Sequence, residues 1–152
     1  MRDNQLAPSC GSGASPLTKP HTVNAQLAHY RNKLAYEMDS ADLFDALERR
    51  DDVVVVDARQ PHGFAAEHIP SAINLPHREM TEASTAQLDR GRTYVTYCDG
   101  IGCNASTKGA LRLAELGFEV RELLGGIDWW KRDGYATDGT EGTGATGVRC
   151  AC

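Results

Sequence analysis

The sequence predicts an α/β fold, in which a central parallel sheet is flanked by helices on both faces. One observation is a run of four valines, residues 53–56, bounded by charged residues. Such a run is too short for a helix and too uniformly apolar for a half-exposed strand, so it indicates a strand covered on both faces. The other is a strand–helix–strand succession within about 30 residues, in which "TYVTY" and "FEVREL" flank a helical pattern.

Helical patterns account for most of the remaining chain. Residues 23–38 predict an amphipathic helix. Its apolar positions at helical spacing are Leu27, Tyr30, Leu34 and Met38. A second helix follows, with Ser40 as its expected N-cap. The segment 104–117 predicts a third helix that stops at Gly117, and "GGIDWWKRDGY" predicts a short last helix entered through paired glycines.

The 152 residues correspond to about one domain with additions at both ends. Residues 1–20 are rich in Gly, Ser and Pro and are expected to form a flexible tail. Residues 21–38 are expected to be a helical extension and residues 39–136 the α/β domain. Residues 137–152 are expected to be a second flexible tail, rich in Gly and Thr and ending in Cys-Ala-Cys.

Composition and charge exclude several classes of function. A formal net charge of −5 argues against non-specific binding to nucleic acid or to an anionic membrane. No apolar run approaches the roughly 20 residues of a transmembrane helix. The first residues lack the apolar core of a secretory signal, so we expect a cytoplasmic protein. In a reducing compartment, five cysteines favour reactive or metal-binding thiols over disulfides.

Cys98 stands where the second predicted strand gives way to a helix. Ligands of parallel α/β sheets bind at this edge. Gly100 and Gly102 would permit a tight curl, whose N–H groups, together with the first turn of the helix, would favour an anion. We therefore expect a Cys98 thiol of lowered pKa that can accept a sulfur atom as a persulfide. The alternative is a small buried apolar residue at a strand end.

Four ordered segments resemble the rhodanese-like sulfurtransferase domains. "VVVVDAR" is similar to the family's strand ending in Asp-x-Arg, and "GFAAEHIPSAINLP" to its Gly-His-Ile-Pro segment. "YVTYC" is similar to the strand that leads to the catalytic cysteine, and "LRLAELGFEVRELLGGIDWW" to the closing helix, strand and Gly-Gly-x-x-x-Trp. The resemblance covers about residues 40–135.

This resemblance implies a sulfurtransferase in which Cys98 is the nucleophile and carries the persulfide. It implies that Asp57 and Arg59 support the structure and that His68 fixes a turn. It also implies a loop around the persulfide. The loop residues are Asp99, Gly100, Ile101, Gly102, Cys103 and Asn104.

The loop departs from the family pattern in length and charge. It is longer than the common loop and contains no Arg or Lys. Related phosphatases and arsenate reductases place an Arg six residues after the cysteine, where this chain has Asn104, so phosphate and arsenate should bind poorly and phosphoryl chemistry is disfavoured. Asp99 is expected to raise the thiol pKa and to repel the thiosulfate dianion. A low-molecular-weight or protein persulfide is therefore the expected donor.

Four further cysteines leave alternatives open. Cys103 is a candidate resolving thiol, or packs under the loop as a small apolar residue. Cys150 and Cys152 could resolve Cys98, accept its sulfur or bind a soft metal, or be incidental. A zinc site made of Cys98, Cys103, Cys150 and Cys152 lacks the usual C-x₂-C spacing. Cys10 is expected to be incidental. The spacing of His62, His68 and His77 does not match a helical metal pair.

The expected function is transfer of a sulfane sulfur through Cys98 to a thiol or cyanide acceptor. The expected partners are a small sulfur donor, a persulfide or thiosulfate, and a thiol acceptor that could be a protein, with no nucleic acid and no membrane. No cofactor and no metal are expected. The alternative is a non-catalytic persulfide carrier or redox sensor, in which Cys98 and Cys103 switch between dithiol and disulfide.

Overall fold

The computed structural model describes residues 23–144 and confirms the predicted α/β fold. Five parallel strands form one sheet in the order β1-β5-β4-β2-β3. The strands are β1 Glu37–Met38, β2 Val53–Asp57, β3 Ile73–Asn74, β4 Thr93–Tyr97 and β5 Glu119–Leu123. The two strands with short apolar runs, β2 and β4, are neighbours in the middle of the sheet.

Six helices accompany the sheet. They are α1 Val23–Tyr36, α2 Ser40–Arg49, α3 Pro61–Ala66, α4 Glu82–Thr85, α5 Ala105–Glu115 and α6 Gly126–Arg132. The crossover through α5 joins the parallel strands β4 and β5, as the strand–helix–strand pattern predicts. This crossover fixes where the segment after β4 turns from strand to helix.

Two apolar clusters cover the opposite faces of the sheet. Val55 packs in one cluster with Leu43 of α2 and Trp130 of α6. Val56, the next residue along β2, packs in the other cluster with Leu113 of α5. Because successive side chains of a strand point to opposite faces, this alternation shows that β2 is covered on both sides. The valine run was therefore interpreted correctly.

The N-terminal helix is shorter than predicted, and its apolar residues do not pack. α1 ends at Tyr36, and Met38 belongs to β1, where it lies opposite Leu123 of β5. No residue of α1 is buried, and Leu27 and Leu34 are exposed. Helical spacing identified the helix but not its packing, because no other described element covers this face.

Two details of the other helices also differ from the expectation. Asp39, not Ser40, caps α2, since its carboxylate accepts a hydrogen bond of 2.8 Å from the Asp42 N–H. Ser40 is the first helical residue and is buried. Gly117 does end the α5 region, with a φ of 84° that favours glycine.

The C-terminal boundary of the domain lies later than predicted. Residues 137–144 were expected to be tail, but Asp138 forms a two-way backbone bridge with His68, at 2.8 and 2.9 Å. The buried Thr137 hydroxyl donates to Glu67 Oε1 at 2.7 Å. This segment is therefore part of the domain, because its backbone forms hydrogen bonds with the backbone of the residues that follow α3.

Some expectations concern residues beyond this range. The predicted tail at 1–20, Cys10, Cys150 and Cys152 all lie outside the described residues. Within residues 23–144, no helix is both long enough and apolar enough to cross a membrane.

Two leucines on α5 provide a test of the packing. Leu113 is completely buried, whereas Leu111 on the same helix is 60% exposed. Leu113→Ala should lower the free energy of unfolding by about 2–5 kcal/mol, because it opens a cavity in the cluster that contains Val56. Leu111→Ala is the matched control and should change it by less than about 0.5 kcal/mol. Urea unfolding followed by circular dichroism measures both; equal losses would contradict the assigned helix face.

Candidate active site

Cys98 is the first residue after β4 and lies at the carboxyl edge of the sheet. Cys98 is buried, with 2% of its surface exposed. From the centre of the sheet, β2 leads outward to β3 and β4 leads the opposite way to β5. The loops after β2 and β4 therefore diverge, which creates the crevice where open α/β sheets bind ligands.

The loop after Cys98 is held by the start of α6. The Ile127 N–H donates to the Cys98 carbonyl at 3.0 Å, and the Asp128 N–H donates to the Asp99 carbonyl at 2.9 Å. A Cβ on Gly126 would overlap the Cys98 carbonyl oxygen, and Gly126 has a φ of 59°. Only glycine permits this conformation and this close approach without strain.

The glycines that the turn requires are therefore not the ones that were predicted. Neither Gly100 nor Gly102 has a positive φ, whereas Gly125 and Gly126 do, at 74° and 59°. A Cβ on Gly102 would meet no atom within 4 Å. The tight geometry lies in the paired glycines that enter α6, because they pass beside the Cys98 backbone.

The Cys98 sulfur faces mainly hydrogen-bond acceptors. Its thiol donates to the Cys103 carbonyl at 2.9 Å, and the Gly100 carbonyl lies 3.7 Å away. The Ser106 hydroxyl oxygen lies 3.3 Å from the sulfur. The prediction was that N–H groups of residues 99–104 surround this thiol, but carbonyl oxygens of that loop face it instead. Carbonyl oxygens favour the protonated sulfur.

The pKa of Cys98 is accordingly raised, not lowered as expected. Burial is the main cause, because it penalises the thiolate. The hydroxyl and the backbone N–H of Ser106 act in the opposite direction, and the neighbouring Cys103 thiol raises the pKa further. The sequence pattern correctly placed Cys98 at a sheet edge where helix and loop N–H groups can favour an anion. It did not show that Cys98 is buried, and burial outweighs that effect on the pKa.

Ser106 connects Cys98 to a carboxylate that the sequence analysis did not consider. The Ser106 hydroxyl donates to Glu122 Oε1 at 2.7 Å, and Thr107 Oγ1 donates to the same oxygen at 2.8 Å. Ser106 is in the first turn of α5, and Glu122 lies in β5 opposite Thr96. The sequence offered little signal, because Glu122 is one of three charged residues in β5, the strand next to the one before Cys98.

The Cys98 side of the loop opens into a cavity of about 270 Å³. Two carboxylates line it, Glu37 and Glu122. Glu37 forms an ion pair of 2.6 Å with Lys33. Within residues 23–144, Glu122 has no ion-pair partner, and no Lys, Arg or His lines this cavity.

The other side of the loop contains the cation that the loop itself lacks. Arg59 forms an ion pair of 2.6 Å with Asp57 and another of 3.0 Å with Asp99. Burial disfavours the Arg59 charge, but the two carboxylates outweigh burial and raise its pKa above the ordinary value. Asp99 therefore points away from the Cys98 cavity and is paired with Arg59. The expectation that Asp99 repels an anion at Cys98 was wrong.

Arg59 and Asp99 line a second cavity, of about 210 Å³, between the loops after β2 and β4. His62 and His77 also line it, and neither lines the Cys98 cavity. Cys103 lines both cavities. The structure therefore places the second thiol between two openings, on opposite sides of one loop.

Of the remaining predicted loop residues, Ile101 and Asn104 line the Cys98 cavity and Gly102 does not. Ile101, Gly102 and Asn104 are exposed, and Asn104 precedes α5 without capping it through its side chain. Among the residues that the structure describes, no group of three or more His, Cys, Asp or Glu side chains could hold a metal ion. His68 Nδ1 lies 2.7 Å from the Phe64 carbonyl oxygen.

Comparison with known proteins identifies the family. Residues 40–133 match the rhodanese-like domain. The chain belongs to this family. The rhodanese-like match begins at the first residue of α2 and ends just after α6, so it contains Cys98, Ser106 and Glu122.

The relatives of this chain include proteins whose names state different functions. A thiosulfate sulfurtransferase GlpE from Coxiella burnetii is 34% identical over 87 residues, which are 56% of this chain and 78% of that protein. An HTH-type transcriptional regulator, Rv0324, from Mycobacterium tuberculosis is 35% identical over 103 residues, or 66% of this chain and 45% of the regulator. The chain thus spans about half the length of that regulator and of an uncharacterized Synechocystis protein.

A crystal structure of the BH2092 protein from Bacillus halodurans shares the fold. The two chains are 39% identical with a TM-score of 0.75, and the match covers 78% of this chain and 88% of that one. Proteins named as sulfurtransferases are thus among those to which this rhodanese-like domain is similar.

Substitution of Gly126 tests the contact that holds the loop. Gly126→Ala should lower the free energy of unfolding by about 2 kcal/mol or more, because it adds left-handed strain and an overlap with the Cys98 carbonyl. It should also change the rate at which iodoacetamide labels Cys98. Gly102→Ala, in open space in the same region, is the control and should leave both quantities unchanged. A neutral Gly126→Ala would contradict the close approach.

Proposed function

We propose that this rhodanese-like domain is a sulfurtransferase that carries a sulfane sulfur as a persulfide on Cys98. Family membership and the names of its relatives support the reaction class. The observation that carries the proposal is the position of Cys98, a buried thiol at the carboxyl edge of β4 that opens into a small cavity. A cavity of about 270 Å³ suits the end of a persulfide rather than a large substrate.

The proposed reaction has two displacements. The Cys98 sulfur attacks the terminal sulfur of a donor persulfide, R–S–SH, and forms a new S–S bond. The donor S–S bond breaks, and its electron pair leaves with R–S⁻, which takes a proton. An acceptor thiolate then attacks the terminal sulfur on Cys98 and restores the thiol. No external oxidant or reductant is required, because each persulfide becomes a thiol as its partner becomes a persulfide.

Charge near the thiol favours an organic persulfide over thiosulfate as the donor. Glu122 places a carboxylate at the Cys98 cavity that has no ion-pair partner among the described residues, and Arg59 is paired with Asp57 and Asp99 on the other side of the loop. Thiosulfate carries two charges close to its transferable sulfur, so entry into this cavity is disfavoured. The donor preference expected from the sequence is thus kept, for a different reason.

The acceptor is proposed to be a thiol, free or on a protein, that approaches the terminal sulfur from solvent. Cyanide would serve as an artificial acceptor. We propose neither a nucleic-acid nor a membrane partner, in keeping with the net charge of −5.

Mass spectrometry tests the persulfide directly. Incubation of the protein with glutathione persulfide should add one sulfur, about 32 Da, to intact wild-type protein. The adduct should be absent from Cys98→Ser and present in Cys103→Ser, because Cys98 alone is proposed to receive the sulfur. Dithiothreitol should remove it. A sulfur adduct of equal amount in Cys98→Ser would contradict the assignment of the nucleophile.

The preferred donor is tested by steady-state kinetics with cyanide as acceptor. Glutathione persulfide should give a kcat/KM at least about tenfold higher than thiosulfate, since only thiosulfate concentrates two charges at the reacting sulfur. The GlpE relative, whose name states thiosulfate, is the comparison enzyme. A higher kcat/KM for thiosulfate would refute the donor preference without affecting the reaction class.

A thiol redox sensor is the second candidate function. It is favoured by the contact of 2.9 Å between the Cys98 thiol and the Cys103 carbonyl, which brings these two cysteine residues together. Attack of Cys103 on the inner sulfur of a Cys98 persulfide would form a disulfide and release hydrogen sulfide. A loss of about 2 Da in the same experiment, absent from either Ser variant, would support this function instead.

A further inference from the structure

We propose that Glu122 accepts the Cys98 proton through the Ser106 hydroxyl when Cys98 attacks a sulfur donor. This inference rests on the proposed function, because it explains how the same thiol becomes a nucleophile. Glu122 is the proton acceptor, and Ser106 is the group that passes the proton.

A proton acceptor is needed because Cys98 is a neutral thiol in its resting state. Burial raises its pKa, and its proton donates to the Cys103 carbonyl at 2.9 Å. No cation lines the cavity on its side of the loop among the described residues. The thiolate is the nucleophile, so the proton must leave the sulfur before or during attack.

The hydrogen bonds provide a route for that proton once the S–H bond rotates from the Cys103 carbonyl toward the Ser106 hydroxyl oxygen. Glu122 carboxylate can only accept, so the single Ser106 proton is directed to Glu122 Oε1, 2.7 Å away. The Ser106 lone pairs are then available to the Cys98 thiol, at a sulfur–oxygen distance of 3.3 Å. Ser106 is 3% exposed, so water does not readily replace it in this route.

The transfer moves two protons by one position each. The Cys98 proton passes to Ser106 Oγ as the Ser106 proton passes to Glu122. The product is a thiolate, a neutral carboxylic acid and a hydroxyl that now donates to the sulfur. This arrangement explains how Ser106 favours the Cys98 thiolate although its proton points to Glu122 in the resting state. During sulfur transfer, the proton on Glu122 balances the R–S⁻ that leaves the donor.

A purely electrostatic role of Glu122 predicts the opposite result. A negative charge near the sulfur disfavours a thiolate, so its removal would make Cys98 more reactive. A proton acceptor favours the thiolate, so its removal would make Cys98 less reactive. The sign of the change therefore decides between the two roles. The titratable side chains lining this cavity are Glu37, Cys98, Cys103 and Glu122, with Lys33 paired to Glu37.

The experiment measures the rate at which iodoacetamide alkylates Cys98 as a function of pH. Glu122→Gln keeps the shape of the side chain and removes the acceptor. At about pH 7 its Cys98 rate should fall about 10- to 100-fold below wild type. At about pH 10, where hydroxide removes the proton directly, the two rates should converge. Fragment ions of the peptide that contains both thiols distinguish Cys98 from Cys103.

Two further variants separate a proton route from a structural effect. Ser106→Ala should show the same loss near neutral pH and the same convergence at high pH, because it interrupts the route. Thr107→Ala is the matched control, since Thr107 donates to the same Glu122 oxygen without contacting Cys98. Its rate should stay within about threefold of wild type. Circular dichroism and the melting temperature confirm that each variant is folded.

Three results would overturn the inference: an unchanged or faster Glu122→Gln rate at neutral pH, a deficit that persists at high pH, or an equal loss in Thr107→Ala. Alkylation requires no sulfur donor, so this readout is independent of the proposed function. Wild-type protein that shows the Glu122-dependent rate but forms no persulfide would refute the sulfurtransferase proposal and keep the proton route.

Discussion

The Arg59 guanidinium determines which charges are available at this sheet edge. It contacts Asp57 Oδ2 and the Glu67 carbonyl, both at 2.6 Å, and Asp99 Oδ1 at 3.0 Å. It therefore joins the end of β2, the segment after α3 and the loop after Cys98. Asp57 is completely buried, so loss of Arg59 would leave an uncompensated charge, a defect that costs about 3–5 kcal/mol in buried pairs. Because Arg59 is held in these contacts, no cation lines the Cys98 cavity among residues 23–144.

The chemistry of Cys98 follows from that distribution of charge. Without a neighbouring cation, a buried thiol surrounded by carbonyl oxygens is neutral, and anionic donors gain nothing at its cavity. Cys98 is then activated by removal of its proton during the reaction, and not by stabilisation of a thiolate in the resting state. Ser106 and Glu122 meet this requirement because the crossover through α5 places its first turn between the ends of β4 and β5. The same topology that buries the thiol thus supplies its base.

Much of the architecture was predictable because apolar patterns report burial directly. The valine run required a strand covered on both faces, and Val55 and Val56 occupy the two opposite clusters. Cys98 followed from its place between strand and helix. The rest depends on contacts between distant segments. Asp99 is adjacent to Cys98 in sequence yet pairs with Arg59, while Glu122 is distant in sequence yet reaches Ser106. Helical spacing in α1 cannot show whether anything covers it, and the Thr137 contacts depend on Glu67, 70 residues earlier.

The position of Cys103 relates the two candidate functions to each other. A persulfide on Cys98 has two electrophilic sulfurs, and attack on the terminal one transfers sulfur, whereas attack on the inner one forms a disulfide. The inner sulfur remains buried with its residue, so an external thiol reaches the terminal sulfur first. Cys103 approaches from within the loop and is half-buried between the two cavities, so burial does not exclude it from the inner sulfur. Under the proposed function, the origin of the attacking thiol would therefore separate the outcomes: a thiol from solvent would complete the sulfur transfer, and Cys103 would form the disulfide.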